Sequence, residues 1–157
     1  MDRVAFVPPG YVPPTSLETP LFRLEPLGPQ HNDADYAAWT SSIDHIRRTP
    51  GYPDGRWPDA RSLSDNLHDL LRHADDFEQR RGFTYTVLDP DTGDVVGCVY
   101  IYPDAAAPGS ASVRSWVRGS RAELDVPLWR AVSNWLAAAW PFESATYEKR
   151  EADEDPG

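Results

Sequence analysis

Cysteine, lysine and histidine are scarce in this chain. Cys98 is the one cysteine among 157 residues, which excludes an internal disulfide and fits a reducing cytoplasm. It lies in an apolar run, so it reads as a buried, inert thiol. Lys149 is the one lysine against fourteen arginines, a bias expected from a GC-rich bacterial genome rather than from chemistry. Four histidines with no second cysteine leave no metal-ligand cluster. His68 and His73 are five residues apart, not at the i, i+4 spacing of a two-histidine metal face, and read as exposed or capping side chains. No apolar run approaches the ~18 residues that span a bilayer, and no basic region followed by an apolar core marks a signal peptide. Also missing are a P-loop, a dinucleotide fingerprint and a supported Ser-His-Asp arrangement. No pair of acids is marked by spacing as a general acid and base.

The chain does have negative charge, proline and large aromatic side chains. Its net charge of −10 argues against a nucleic-acid partner. Residues 148–157 hold five acids and read as a solvated tail. Residues 1–20 carry Pro8, Pro9, Pro13 and Pro14, which favour extended geometry. Val4, Phe6, Val7, Tyr11 and Val12 make this segment too apolar for a free linker. It is expected to lie as an arm on the domain or on a partner subunit. Six Trp, seven Tyr and five Phe are ample for the core of one domain over residues 21–147.

Alternating apolar and charged residues over 21–27 predict a first strand. Asn32 or Asp33 is expected to cap a helix running to Arg47 through Tyr36, Trp39, Ile43 and Ile46. Residues 49–59 read as a loop carrying Tyr52, Arg56 and Trp57. The clearest helix covers 62–81, with Leu63, Leu67, Leu70, Leu71, Ala74 and Phe77 on one apolar stripe and Ser62 with Asp65 as a capping box. Residues 83–88 and 95–102 predict strands joined by the turn Asp89–Asp94. Gly97 signals a bulge or close backbone approach. Residues 111–117 and 142–147 predict two more strands around a helix that Asp125 caps, with Pro127 in its first turn and Leu128, Val132, Trp135, Leu136 and Ala139 buried. This last crossover is a parallel βαβ unit, so the class is α+β with a mixed, mostly antiparallel sheet and about three helices.

That order of elements, with the entry LFRLEPLGPQHNDADYAAW and the hairpin FTYTVLDPDTGDVVGCVYIY, resembles the GNAT acyltransferase fold over residues 20–147. The resemblance implies acetyl-CoA as cofactor, acyl transfer to an amine, and a pyrophosphate cradle after the strand 111–117. Val117, Arg118, Gly119 and Arg121 are the residues it marks for the cofactor. Arg121 fits the first position of the family's loop motif. Leu124 and Val126 stand where the motif has small residues, and Glu123 and Asp125 add negative charge there. Family members also continue past their last strand here with a further helix, whose tyrosine serves as general acid. No residue of this chain carries over to that role, so the catalytic residues are unassigned. An open sheet edge on that side would favour a homodimer.

Strand alternation puts Arg114, Trp116 and Arg118 on one side and Val113, Ser115 and Val117 on the other; it also groups Val96, Cys98, Tyr100 and Tyr102. Tyr100, Tyr102, Arg114 and Trp116 are expected to form an aromatic pocket with cationic ends, suited to an anionic small molecule or the acceptor amine of an acyltransferase. Two functions follow. One is an N-acyltransferase using acetyl-CoA. The other is a non-catalytic member of that fold which has lost acetyl-CoA and binds a small ligand or a protein. Net charge alone suggests a third, an acidic protein that masks a basic partner.

Overall fold

The computed structural model describes residues 5–52, 58–59 and 61–150. Six strands, β1 (Leu17–Glu18), β2 (Arg23–Pro26), β3 (Phe83–Leu88), β4 (Val95–Pro103), β5 (Ala111–Val117) and β6 (Ala145–Tyr147), form one sheet in that order. All neighbours are antiparallel except β5 and β6, which run parallel. The helices are α1 (Asn32–Thr40), α2 (Ile43–Arg47), α3 (Leu63–Glu78) and α4 (Asp125–Ala139), with 3-10 turns at Pro29–His31 and Gly119–Leu124. The architecture is the mixed α+β sheet expected. The predicted loop residues Arg56 and Trp57, the arm's Val4 and the tail beyond Arg150 lie outside the described residues.

The helix expected to reach Arg47 is broken after Thr40. The hydroxyls of Thr40 and Ser41 donate to the carbonyls of Tyr36 (2.6 Å) and Ala38 (2.9 Å), and such local bonds compete with helix continuation. Asn32 and Asp33 do not cap α1 either. The chain enters through the turn Pro29–His31, where the Gly28 amide donates to His31 Nδ1 at 3.0 Å. Ser62 and Asp65 do form the expected capping box on α3. The predicted apolar stripe of α3 is only partly buried. Leu63, Leu67 and Leu71 are exposed, because the helix turns Asn66, Leu70, His73 and Phe77 inward and the polar members of that row find partners there.

In the hairpin, Asp89 Oδ1 accepts the amides of Asp91 and Thr92, and Gly93 takes a φ of 76°, a conformation glycine adopts without steric cost. The pairing of β3 with β4 shifts register between Val87 and Leu88, opposite Gly97 and Val95. That bulge moves Val96 to the face opposite Cys98, Tyr100 and Tyr102, correcting the simple alternation. Gly97 is also where β5 comes closest: a Cβ there would sit 2.3 Å from the Trp116 carbonyl oxygen. Gly97→Ala is expected to cost about 3 kcal/mol, measurable by urea denaturation.

Two apolar clusters flank the sheet. One joins Leu24, Phe83, Tyr85, Val99, Ile101, Val113 and Val117 to Leu128, Val132, Trp135 and Leu136 of α4. The N-terminal segment belongs to it. Val7 is buried, Phe6 stacks on Phe142 (4.8 Å), and the Tyr11 hydroxyl donates to the Ala139 carbonyl. The other cluster joins Trp39, Ile46 and Leu70 to Cys98 and Trp116. The cavity described next opens on this second face.

Candidate functional site

Tyr100, Tyr102 and Arg114 line a cavity of about 380 Å³, with Tyr52, Asp35, Asn66, Asp69, His73, Arg61 and Arg72 around them. Strand register brings the first group together, since Tyr100 lies opposite Arg114 and both point to the α3 side. Trp116 is two residues from Arg114 on the same face but fully buried, below the cavity floor, where its Nε1 donates to the Tyr100 hydroxyl at 2.9 Å. It shapes the pocket by fixing Tyr100 rather than by lining it. The third residue of that row, Arg118, turns away and donates from Nη1 to the Val95 carbonyl at 3.2 Å.

The cavity walls carry both signs of charge. Arg61 pairs with Asp59 and Asp69. Arg114 lays its guanidinium over the Tyr52 ring, 5.3 Å from its centre, and makes no ion pair with a described residue. Arg72 is more than half exposed and only 3.7 Å from the Asp69 carboxylate. Asp35 accepts from Asn66 Nδ2 at 3.1 Å, yet burial raises its pKa to about 6. Three arginines, Arg61, Arg72 and Arg114, face two carboxylates, Asp35 and Asp69, in these walls.

His73 belongs to this cavity, and sequence spacing alone gave no hint of it. Its Nδ1 lies 2.9 Å from the Tyr102 hydroxyl and 3.0 Å from Thr84 Oγ1. Tyr102 in turn donates to Asp76 Oδ2 at 2.8 Å, and Asp76 Oδ1 is held by Arg81 Nε at 3.0 Å. Burial lowers the His73 pKa to about 4, with the Arg72 charge adding to it. Asn66 was missed as well; it joins α3 to α1 by accepting from Trp39 Nε1 and donating to Asp35 and Asn32. The signal available in sequence was weak: polar residues on the inward row of an amphipathic helix.

The residues marked for a cofactor lie at the end of β5 and in the turn after it, and the amides of Arg118, Gly119 and Arg121 are engaged. The Arg118 amide donates to the Val96 carbonyl (2.9 Å), the Gly119 amide to Ser42 Oγ (2.8 Å) and the Arg121 amide to the Arg118 carbonyl (2.9 Å). Val117 is buried in the first cluster. The Arg121 guanidinium pairs with Asp89 (2.9 Å) and Glu123 (3.2 Å), and it holds the Asp89 carboxyl down at about 2. A phosphate cradle needs converging, unengaged N–H groups. The turn Gly119–Leu124 instead folds onto itself.

Asp125 does not cap α4 as expected. The cap position is Leu124, without a side-chain bond, and Asp125 is the first helical residue. Its Oδ2 takes an ion pair from Arg150 Nε at 2.9 Å, while its Oδ1 has no hydrogen-bond partner among the described residues. Arg150 is buried. Its Nη2 donates to the Ser115 carbonyl (2.9 Å) and its Nη1 to the Glu148 carbonyl (2.8 Å), and it packs over Tyr147. Because β6 pairs with β5 only from Ala111 to Val113, the flank of β5 at Ser115 is free of strand partners on that side. Arg150 and the Tyr147 hydroxyl, 2.6 Å from Ser115 Oγ, fill the opening. The residues present at this turn do not fit the pyrophosphate of acetyl-CoA: the amides of Arg118, Gly119 and Arg121 are engaged, and the half-buried Asp125 carboxylate stands at the start of α4.

Among the described residues no group of three His, Cys, Asp or Glu side chains is placed to hold a metal ion, and no helix is long and apolar enough to cross a membrane. No protein-family model matches the chain, and no curated protein matches it. Solved structures do. A putative ribosomal-protein-serine acetyltransferase from Vibrio cholerae superposes with a TM-score of 0.61 at 15% identity, over 76% of this chain and 65% of that one. RimL, a ribosomal L7/L12 alpha-N-protein acetyltransferase, gives 0.63 at 10% identity, over 85% and 73%. The microcin C7 self-immunity acetyltransferase MccE, solved with acetyl-CoA and AMP, gives 0.59 at 12% identity, over 80% and 66%. The chain thus spans about two thirds of the length of these structures. Together with the strand order and the parallel crossover through α4, these likenesses show that the chain has the GNAT acetyltransferase fold.

Proposed function

We propose that this GNAT-fold protein binds a small anionic molecule in the cavity between α3 and the sheet, and that it does not take acetyl-CoA at the turn after β5. The observation that carries this is the division of charge between the two places. At the turn, Arg121 is neutralised by Asp89 and Glu123, and Arg150 is spent on Asp125. In the cavity, Arg114 is held by stacking on Tyr52 rather than by a carboxylate. An arginine presented beside tyrosine rings recognises a planar carboxylate through two parallel N–H donors.

N-acyl transfer from acetyl-CoA to an amine is the second possibility, favoured by the fold shared with acetyltransferases. It would use Val117, Arg118, Gly119 and Arg121 for the cofactor, and it would require Arg150 to leave Ser115 and Asp125.

Benzoate is a fitting fragment probe. Binding in the millimolar range is expected, with NMR shift changes at Tyr100 and Arg114. Arg114→Ala is expected to weaken it about tenfold. Shifts confined to other surfaces, or an unchanged affinity in Arg114→Ala, would remove the cavity from consideration.

A further inference from the structure

The hydrogen-bond chain behind His73 fixes which of its nitrogens bears the proton. Tyr102 has one hydroxyl proton, and it is committed to Asp76 Oδ2 at 2.8 Å. Asp76 is held in place by Arg81 on its other oxygen. Across the 2.9 Å contact between Tyr102 and His73 Nδ1, the phenol oxygen is therefore the acceptor, and Nδ1 must be the donor. A neutral imidazole has one N–H, so Nε2 carries a lone pair. Thr84 Oγ1, 3.0 Å from Nδ1, fits the same assignment as a second acceptor. The ring stays neutral because it is buried beside Tyr100 and Tyr102, at centroid distances of 5.6 and 6.1 Å.

The charged acceptors that share this wall are already engaged, the Asp69 carboxylate by Arg61 and the Asp35 carboxylate by Asn66. Arg72 and Arg114 offer only donors, and Arg61 is already paired. Anions satisfy the arginines but repel an imidazole lone pair.

We propose that His73 Nε2 is a neutral acceptor of the cavity, locked in that role by the chain Asp76–Tyr102, so that the ligand carries an N–H or O–H donor together with its anionic group, as an amino- or hydroxy-substituted aromatic acid does. This rests on the reading of the cavity as an anion site. A role as general base fits less well, because a base working near neutrality needs a pKa close to 7, and burial holds His73 near 4.

Two measurements test the assignment. Nitrogen-15 NMR of the whole protein at neutral pH reads the tautomer without any ligand. The expected result is a protonated Nδ1 and an unprotonated Nε2 for His73, and a shift toward the other tautomer in Tyr102→Phe. A protonated Nε2 in the unmodified protein would overturn the proposal. Binding of benzoate is then compared with that of the three aminobenzoate isomers. At least one isomer is expected to bind about tenfold tighter than benzoate, and in His73→Leu that isomer and benzoate are expected to bind alike. If benzoate binds but no isomer gains, or the gain survives His73→Leu, the donor requirement is wrong and the anion site stands. If neither benzoate nor any isomer binds, both fall.

Discussion

Arg150→Ala is expected to destabilise the protein by about 3–5 kcal/mol, the range for breaking a buried ion pair from one side. Arg150 is 3% exposed, and its removal strands three acceptors. The Asp125 carboxylate, whose Oδ1 has no partner among the described residues, would lose the one on Oδ2. The Ser115 and Glu148 carbonyls would lose theirs as well. Adding Asp125→Ala should recover a large part of the loss, because the uncompensated charge is then gone. Urea denaturation of the two variants checks this. A solvated tail residue would give a change within about 0.5 kcal/mol, and that result would place Arg150 outside the fold.

The second large effect is on the pH dependence of stability, where two groups on one cavity wall oppose each other. Burial pushes the His73 imidazole down to about 4 in the folded protein, from 6.5 for a free imidazole. As pH falls from 6.5 to 4 the unfolded chain takes up its proton and the folded one does not, so stability is lost through that window. Burial pushes the Asp35 carboxyl up to about 6, from 3.8 for a free side chain. As pH falls from 6 to 3.8 the folded protein takes up a proton and the unfolded one does not, so stability is gained. The two nearly cancel, and neither shows in the native chain. Asp35→Asn preserves an acceptor for Asn66 and unmasks His73. Relative to the unmodified protein, it should lose about 2–3 kcal/mol as pH falls from 6.5 to 4. His73→Asn unmasks Asp35 and should shift by a similar amount in the opposite direction. Denaturation midpoints across this range read both slopes. Equal slopes in both variants would mean that the two groups are not buried as described.

Much of the fold was legible because its signals are local. The hairpin Asp89–Asp94 declares its turn, the alternation over 111–117 sets the faces of β5, and the βαβ order of the last third forces the parallel pair. Tyr100, Tyr102 and Arg114 could be placed in one pocket for the same reason: strand alternation and register depend on backbone geometry alone. What stayed hidden depends on contacts distant in sequence. Nothing near His73 says that Tyr102 and Asp76 will orient it, and nothing near Arg150 says that Ser115 and Asp125 will bury it. A row of leucines on α3 suggested the buried side, yet Asn66 and His73 took that side because the first helix and the sheet hold their partners. Trp116 was correctly assigned to its face, but a strand pattern does not distinguish a lining residue from one beneath the floor.

Titration calorimetry of acetyl-CoA into the intact protein tests most directly the proposal that the turn after β5 does not take this cofactor. No heat of binding is expected up to millimolar cofactor. Saturable binding with one cofactor per chain, weakened by Arg121→Ala, would contradict it and establish the turn as a working cofactor site.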